Sequence, residues 1–416
     1  NPTSTTSISD ITIQNCDNLI GRTEDTSLDP GSFLDITFTQ SGSFTFSKFN
    51  FINNSCDVAH GGAVGFWLVC PREENDPLFP VDLVDCLFDS NRAYQVTANH
   101  PNYNGYGGGA TIGGSGQAKK LVFTLTNCNF TNNSAKYGGG ALCIATNQNC
   151  LIENCNFTRN TAQQGGAIFV PDDRVHYLTQ SVCDNLTISS CIFDSNTSPE
   201  ASSIYLLGRN GSPSHVYITN QCIFTTSVDY SKLDTSTLIW TNYKILEISD
   251  IEFNFSDHAC SERAIYTSLN AITTVYKCIF RHCNAKGEGN AIYMASNAGK
   301  TTITNCLFED NGLNGWAIYS LCSNFEFDSN ELQYTGSDAA GGIAIMSSAT
   351  AIVSNSIFRN INSYYSQEYG FNNIGNGITI YHPSIQDSNN ENYQFTNLTF
   401  IAPRGDKTRC VNASTY

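Results

Sequence analysis

Charged residues are scarce in this chain. Only 14% of its 416 residues are Asp, Glu, Lys or Arg, whereas Asn, Ser, Thr, Gly and Ile are abundant. Stable helices draw on Ala, Leu, Glu and Lys, so the composition disfavours a helical protein. The basic residues form no stripe and the net charge is −16, which disfavours a nucleic-acid partner.

Long apolar runs are missing as well. The longest run, residues 63–70, has the length of a strand and falls well short of the ~20 residues that a membrane-spanning helix requires. We therefore predict no transmembrane segment. Residues 1–9 are polar, so we expect no signal peptide in this chain.

The 17 cysteines include no Cys-x-x-Cys pair, which is the usual spacing of a structural zinc site. We predict no metal and no cofactor. A chain so rich in cysteine and in Asn-x-Ser/Thr sequons favours a eukaryotic secretory route, and thus a secreted or cell-surface location. The predicted N-glycosylation sites are Asn53, Asn129, Asn132, Asn156, Asn185, Asn210, Asn254, Asn397 and Asn412.

A short motif, Cys-x-Phe, recurs along the chain and is often followed by x-x-Asn. Its copies begin at Cys86, Cys128, Cys155, Cys191, Cys222, Cys278 and Cys306. Degenerate copies centre on Phe51, Phe253, Phe327, Phe358 and Phe400. Cys and Phe lie two residues apart, so in a strand they share one face, and their apolar character predicts that this face is interior. The Asn of Phe-x-x-Asn is expected to form a corner ladder in the left-handed conformation, at positions Asn54, Asn91, Asn133, Asn160, Asn196, Asn311 and Asn330. The sequon at Asn196 is therefore predicted to stay unmodified.

A second motif, Gly-Gly-Ala followed by Val, Leu or Ile, comes about ten residues after the first. It begins at Gly61, Gly139 and Gly165, with weaker forms at Gly289, Gly315 and Gly341. Short strands joined by Gly and Asn turns at a period of roughly 27–42 residues are typical of a β-solenoid. We predict an all-β right-handed parallel β-helix of about twelve rungs. Residues 1–45 form N-terminal rungs, a cap or an assembly segment, residues 46–400 form the repeats, and residues 401–416 form a tail.

The paired motifs resemble the repeats of the polymorphic outer membrane proteins (Pmp), which occur in chlamydial surface adhesins and in surface proteins of some protists. The resemblance covers residues 45–400. It implies a β-helix displayed on a cell surface, often adhesive, and it carries no catalytic residues. The sequons and cysteines favour the protist side of this family.

Two interpretations of the inward cysteine column, Cys86 to Cys222, remain open. Neighbouring rungs lie about 4.8 Å apart, which allows disulfides, but a column of reduced thiols packs equally well. The cysteines outside this register are better candidates for bridges that pin loops. They are Cys56, Cys70, Cys143, Cys150, Cys183, Cys260, Cys283, Cys322 and Cys410.

Six consecutive rungs carry an Ile followed by an aromatic residue. The aromatic members are Phe169, Tyr205, Trp240, Tyr266, Tyr293 and Tyr319. Ile and its neighbour must face opposite ways in a strand. If Ile faces inward, the aromatic column lines an outer face and could stack sugars or bury against another subunit. If the rings face inward, they are ordinary core.

Two functional classes follow. The first is a structural or adhesive extracellular glycoprotein that associates with itself, as an end-to-end filament or coat, or with a cell-surface or matrix partner. The second is a carbohydrate-binding or carbohydrate-cleaving β-helix. Cleavage needs clustered carboxylates, and the best local groups, around Asp172 and Asp257, do not recur on neighbouring rungs. We therefore predict the first class and no enzymatic activity.

Overall fold

A computed structural model of the chain describes residues 5–18, 34–38, 43–56, 61–68, 79–94, 105–114, 121–145, 149–172, 183, 185–208, 214–225, 237–242, 244–255, 263–283, 285, 288–311, 315–333, 340–346, 350–361, 377–382, 392–401 and 411–415. Within them the regular elements are β-strands, and no helix occurs there. No segment of these ranges is therefore a helix long and apolar enough to cross a bilayer. The chain divides into two compact units, Asn1–Ile223 and Phe224–Tyr416.

Unit 1 contains four parallel sheets, here named A to D in the order in which the chain meets them. Sheet A contains β1 (Thr5–Ser9), β5 (Ser43–Ser47), β9 (Phe79–Val84), β13 (Leu121–Thr126), β17 (Asn149–Glu153), β20 (Asn185–Ser189) and β23 (Ser214–Thr219). Sheet B contains β2 (Thr12–Gln14), β6 (Asn50–Ile52), β10 (Leu87–Asp89), β14 (Asn129–Thr131), β18 (Asn156–Thr158) and β21 (Ile192–Asp194). Sheet C contains β3 (Asp17–Asn18), β7 (Ser55–Cys56), β11 (Arg92–Ala93) and β15 (Ser134–Ala135). Sheet D contains β4 (Leu34–Phe38), β8 (Val64–Leu68), β12 (Ala110–Gly114), β16 (Leu142–Ala145), β19 (Ile168–Val170) and β22 (Ile204–Leu206).

Unit 2 continues the same order of strands with sheets A, B and D. Its sheet A contains β26 (Lys244–Ser249), β29 (Ile272–Tyr276), β32 (Thr301–Thr304), β35 (Asn324–Asp328), β38 (Thr350–Ser354) and β41 (Asn392–Thr396). Its sheet B contains β24 (Ile223–Thr225, which begins at the last residue of unit 1), β27 (Glu252–Asn254), β30 (Ile279–Arg281), β33 (Leu307–Glu309), β36 (Glu331–Gln333), β39 (Ile357–Arg359) and β42 (Thr399–Ile401). Its sheet D contains β25 (Thr237–Asn242), β28 (Arg263–Ser268), β31 (Ile292–Met294), β34 (Gly315–Ser320), β37 (Ala340–Met346), β40 (Ile378–His382) and β43 (Val411–Thr415).

The Phe of each Cys-x-Phe motif lies on the inner face of sheet B, as the two-residue period predicts. Phe130 pairs in register with Phe157, and Phe157 pairs with Phe193. Their rings stack at centroid distances of 5.1 and 4.9 Å, and all three side chains are 0% exposed. In unit 2, Phe253 and Phe280 stack in the same way at 4.9 Å. These stacked rings form the core of each unit, because a parallel ladder places identical residues one above another.

Left-handed residues set the corners of the coils, and most coils of unit 1 have two of them. In the coil of Phe130 they are Asn127, just before the Cys, and Asn132, just before the ladder Asn, both at φ 55°. The predicted left-handed conformation of the ladder Asn itself is therefore wrong, since Asn133 is absent from the positive-φ residues of the described chain. The side chain of the ladder Asn forms the hydrogen bonds of the ladder, and the residue before it adopts the left-handed conformation of the turn.

The Asn ladder joins successive coils through buried side chains. Asn91 donates from Nδ2 to Oδ1 of Asn133 at 3.0 Å, and Asn133 donates to Asn160 at 3.0 Å. Each Oδ1 also accepts a backbone N–H from the coil below, and each Nδ2 also donates to a backbone carbonyl, as Asn133 does to Phe88. All of these residues are 0% exposed. The ladder thus satisfies the polar groups of a tight, dry corner.

One degenerate repeat, centred on Phe327, lies in a different sheet from the one that its motif predicts. Phe327 lies in sheet A, where it pairs with Ile303, and the sheet B position in register with Phe308 is Leu332. Asn330 consequently occupies the corner position of the Cys, where it accepts the backbone N–H of Cys306 at 2.7 Å. The corner before sheet B and the corner after sheet B each have a left-handed residue followed by a small or polar one. The two corners are therefore alike in sequence.

The predicted fold class is confirmed: the described residues form stacked coils of parallel strands. Sheet A has seven strands in unit 1 and six in unit 2 within the described ranges, close to the twelve rungs predicted. Parallel strands also lie inside the predicted N-terminal segment, at β1 to β5, and inside the predicted tail, at β43.

Candidate functional site

The aromatic column lies on the face of sheet D opposite to the isoleucines. Ile168 and Ile204 in unit 1 and Ile265 and Ile292 in unit 2 are all 0% exposed and point into the core. In unit 1 the neighbouring rings are nevertheless covered, at 1% exposure for Phe169 and 6% for Tyr205. Further ring contacts, such as the 5.5 Å stack of Tyr106 on Phe169, account for part of this cover.

In unit 2 the column is a continuous stack of rings, partly exposed at Trp240, Tyr266 and Tyr293 and buried at Tyr319. Tyr266 lies 6.0 Å from Trp240 and 5.2 Å from Tyr293, and Tyr293 lies 5.3 Å from Tyr319. The interplanar angles are 7°, 3° and 12°, so each ring turns its faces toward its neighbours. What a ligand meets from outside is therefore mainly ring edges. Open faces on which a sugar could stack are not the main feature of this surface.

Arg263 lies against this stack and is 8% exposed. Its Cζ is 4.8 Å from the ring centroid of Tyr293 and 5.8 Å from that of Tyr266. Nε donates to the carbonyl oxygen of Gly289 at 2.8 Å and Nη2 donates to that of Glu288 at 2.7 Å. Burial lowers the pKa of Arg263 to about 10. The guanidinium is thus a charged group held in a poorly solvated place.

A groove runs along the outside of the corner between sheets A and B of unit 2. Its volume is about 530 Å³. Outward residues of successive coils line it, namely Lys277, Ile279, Asn305, Leu307, Ser329, Glu331, Asn355 and Ile357. Ile279, Leu307 and Ile357 give it an apolar floor, and Ile272 and Tyr276 are exposed on sheet A of the same unit, at 43% and 36%. Exposed apolar side chains in a concave surface are typical of a partner-binding site.

Beside the groove, the arginines of the next outward column of sheet B pair with carboxylates of that column and of the column that lines the groove. Arg281 contacts Glu309 at 2.7 Å and Glu252 at 2.5 Å, and Arg359 contacts Glu331 at 3.1 Å. These pairs are partly solvated and contribute little to stability. They do leave Lys277 as a groove-lining cation for which the described residues show no carboxylate partner.

Most predicted glycosylation sites lie on outer surfaces. Asn129 and Asn156 are the middle residues of Cys-x-Phe and point outward, with Asn156 Nδ2 donating to Asn129 Oδ1 at 2.7 Å. The exposed sites are Asn53, Asn129, Asn132, Asn185 and Asn397, and the half-buried sites are Asn156 and Asn254. Asn210 lies outside the described residues, and only the backbone of Asn412, in β43, is described. Asn196 is 3% exposed and donates to the carbonyl of Phe157.

None of the described cysteines forms a disulfide bond, and all but Cys16 are buried. In the inward column, Cys128 donates its backbone N–H to Sγ of Cys155 at 3.4 Å, and Cys191 does the same to Cys222. The proposed loop bridges are not formed at Cys56, Cys143, Cys150, Cys183, Cys283 and Cys322. Cys70, Cys260 and Cys410 lie outside the described residues. The alternative of packed, reduced thiols is the one the structure adopts.

The carboxylates named in the sequence analysis fall only partly within the described ranges. These ranges contain no cluster of three or more His, Cys, Asp or Glu residues placed to hold an ion. Asp172, two residues after β19, is 2% exposed, while residues 173–182 and the group around Asp257 lie outside the described chain.

Sequence reasoning missed one group of residues. The position two before the inward Leu142 and Ile168 of unit 1 is the second Gly of the Gly-Gly-Ala motif, but in unit 2 the same position is Arg263, Asn290 and Trp316 on successive coils. The signal in the sequence is that residues other than Gly occupy this repeated position. The weaker forms of the motif are thus coils in which large side chains are buried at this corner.

Comparison with known proteins agrees with this architecture. Residues 181–332 match the family described as "Right handed beta helix region". Residues 127–145 and 154–171 match the "Chlamydia polymorphic membrane protein (Chlamydia_PMP) repeat". Each of these two segments begins at the left-handed residue before a Cys and ends at or just after a sheet D strand. The chain is a right-handed parallel β-helix with Pmp-like repeats.

Solved structures include similar chains at low identity. A double mutant of the tailspike protein of E. coli bacteriophage HK620 has 11% identity and a TM-score of 0.40 over 95% of this chain and 72% of the tailspike chain. A second double mutant of that tailspike, in complex with a pentasaccharide, has 10% identity and a TM-score of 0.36 over 95% and 72% of the two chains. Comparison with curated protein sequences gives no match.

Proposed function

We propose that this chain is a surface-displayed adhesive protein whose β-helix presents a lateral binding face. The observation that carries the proposal is the match of two segments, each with the sheet B and sheet D strands of one coil, to the Pmp repeat, a repeat of surface-exposed outer membrane proteins. The inward columns support it. Positions such as Phe130 and Phe157 repeat from coil to coil, whereas outward positions such as Asn129, Ile192 and Glu252 vary. A constant core with a variable exterior suits a scaffold for recognition.

The groove of unit 2 is the part of this exterior best suited to a partner. Ile279 and Leu307 occupy outward positions at which burial against the chain itself is incomplete. A partner on another cell or in the extracellular matrix would cover them and gain roughly 25 cal/mol per Å² of apolar surface removed from water. Polar groups at the rim, among them Lys277 and Asn305, would orient it.

The test is binding of the labelled full chain to cultured cells and to matrix-coated surfaces. We expect saturable binding that Ile279→Asp combined with Leu307→Asp reduces by about tenfold or more, because a buried carboxylate is costly in an apolar contact. Ile192→Asp is the matched control. It changes the same Cys-x-Phe position on an exposed coil of unit 1, outside the groove, and should leave binding unchanged. Equal binding by the two variants would overturn the role of the groove.

Two finer features belong to the same proposal. Exposed sequons such as Asn185 and Asn397 would carry N-glycans if the chain passes through a eukaryotic secretory pathway, and mass spectrometry of natively produced protein would detect them. In addition, β1 and β42 have one paired neighbour each within the described residues, and free strand edges favour end-to-end stacking. Electron microscopy would then show filaments, whereas uniform single rods would exclude them.

A further inference from the structure

One side of the unit 2 groove is formed by backbone. Cys278, Cys306 and Asn330 line the groove, yet their side chains point into the core and these residues are 1%, 3% and 3% exposed. It is therefore the main chain at these positions that borders the groove. Each of the three residues follows the left-handed corner residue of its coil. These corner residues are Lys277, Asn305 and Ser329.

The peptide bonds on this side direct their carbonyl groups away from the core. The N–H of Cys278 donates to Sγ of Cys306 at 3.4 Å, and the N–H of Cys306 donates to Oδ1 of Asn330 at 2.7 Å. The N–H of Asn330 donates in the same way to Oγ of Ser356 at 3.1 Å. All three acceptors are buried side chains of the following coil. In a trans peptide bond the carbonyl points opposite to the N–H, so the carbonyl of each corner residue faces the groove side.

These carbonyl oxygens form a row of open acceptors. Within the described residues, the carbonyl oxygens of Lys277, Asn305 and Ser329 accept no hydrogen bond. The three residues lie on successive coils, so the oxygens recur at about 4.8 Å along the stack. A backbone carbonyl that borders a concave surface and has no protein donor is available to a ligand. A ligand that uses the whole row must therefore offer one donor per coil.

The interval of the row selects a class of ligand. The N–H groups on one side of an extended peptide recur at every second residue, about 6.6 Å apart, and an α-helix uses nearly all of its N–H groups internally. Neither interval matches the row. A chain of pyranose rings offers hydroxyl donors on every ring, at an interval close to the height of one coil, and its C–H groups can contact Ile279 and Leu307. Acceptors outnumber donors in the groove and the net charge of the chain is −16, which favours a neutral glycan over an acidic one.

We propose that the groove of unit 2 binds an extended neutral glycan with one hexose unit per coil. This inference rests on the proposed function, because it names the chemistry of the partner that the groove binds. The hydroxyl groups donate to the row of carbonyl oxygens, and Nζ of Lys277 donates to a sugar oxygen at one end. The C–H groups of the rings cover Ile279, Leu307 and Ile357. Four coils line the groove, so it extends over about 14 Å.

The experiment is calorimetric titration of the full chain with the β-1,4-linked tetrasaccharides of glucose, mannose and N-acetylglucosamine, which are extended chains. For the sugar that binds most tightly, we expect affinity to rise about tenfold or more from the disaccharide to the tetrasaccharide and to change little at the hexasaccharide, because the groove has four coils. Maltotetraose has the composition of cellotetraose but a curved chain, and it should bind more weakly. Absence of binding by all three tetrasaccharides, or equal binding of maltotetraose, would overturn the proposal.

Ile279→Asn combined with Leu307→Asn is the matched variant. Asn occupies the same outward position of Cys-x-Phe in unit 1, at Asn129 and Asn156, so the variant should keep the unfolding temperature of the native protein. We expect tetrasaccharide binding to fall by about tenfold or more, because the C–H groups lose their apolar contact. Unchanged binding by this variant would show that the sugar does not use the groove and would overturn the proposal.

The adhesive proposal and this one fail in different ways. If Ile279→Asp with Leu307→Asp abolishes binding to cells but no tetrasaccharide binds, the partner is a protein and only this inference falls. If a tetrasaccharide binds in the groove but binding to cells does not depend on Ile279 and Leu307, the adhesive role of the groove falls and its glycan chemistry stands.

Discussion

A Cβ atom built on Gly140 would lie 2.2 Å from the carbonyl oxygen of Gly166 and 2.5 Å from the backbone nitrogen of Thr161. The second Gly of the motif is thus fixed by contact between backbones at the corner that contains sheet C. The same contact recurs at Gly108, whose Cβ would lie 2.2 Å from Gly140 O. The Gly-Gly-Ala motif is a packing requirement of unit 1.

Gly140→Ala should therefore destabilise the protein by about 3 kcal/mol, because backbone atoms must shift to admit the methyl group. Urea denaturation of the two proteins measures the difference. Gly109→Ala is the matched control. Gly109 occupies the register of Ala141, and its Cβ would meet Ala141 O at 2.9 Å instead of 2.2 Å, so the substitution should cost less. A cost for Gly140→Ala no larger than the control's would contradict the corner contact.

The Asn ladder gives a second prediction. Asn133→Ala removes the acceptor of Asn91 and leaves the carbonyl oxygen of Phe88 without its side-chain donor, all at buried positions. We expect a loss of roughly 2–4 kcal/mol in the free energy of unfolding. Asn132→Gly, one residue earlier at φ 55°, should be neutral or stabilising because glycine adopts this conformation freely. Similar losses in both variants would show that the corner depends on its turn and not on the ladder.

The inward columns could be predicted from the sequence because their signal is local. Cys155 and Phe157 share a face through the two-residue period alone, and repetition in register makes them neighbours of Cys128 and Phe130. The outward direction of Asn129 followed from the same argument. None of these predictions needed knowledge of how the coil bends.

The corners could not be predicted in the same way. Phe327-x-x-Asn330 resembles the ladder motif, yet its Phe lies in sheet A. The two motifs look alike because both corners of a coil contain a left-handed residue and a polar one. The buried Arg263 and Asn290 depend on the room left at a corner, and that is set by contacts between coils. The groove depends on how the chain turns between sheets A and B, which no periodicity encodes.

Acid sensitivity should involve Asp328. Its carboxylate accepts hydrogen bonds from Ser354 Oγ at 2.6 Å, Asn355 Nδ2 at 2.7 Å and Ser329 Oγ at 2.9 Å, and these hold the pKa of Asp328 below its usual value. A lowered pKa stabilises the fold above the unfolded value of about 3.9, and this contribution is lost as pH falls through the folded pKa.

We therefore expect the unfolding temperature of the native protein to fall more steeply below about pH 4 than that of Asp328→Asn. Ser354→Ala, which removes the hydrogen bond that lowers the pKa of Asp328 most, should show an intermediate slope. Differential scanning calorimetry from about pH 6 to pH 2 measures these slopes. Parallel curves for all three proteins would mean that the carboxylate is equally solvated in both states.

The buried thiols give the last prediction. Burial raises the pKa of Cys143 and of Cys150, so neither forms the reactive thiolate at neutral pH. Iodoacetamide followed by mass spectrometry should modify Cys16, which is half-buried, and spare the other described cysteines in the folded protein. In urea all of the described cysteines should react. In the folded protein, burial and a raised pKa prevent their modification, and disulfide formation does not. Disulfide-linked peptides that join Cys128 to Cys155 would contradict the reduced column. They would also show that an oxidising environment can cross-link neighbouring coils in register.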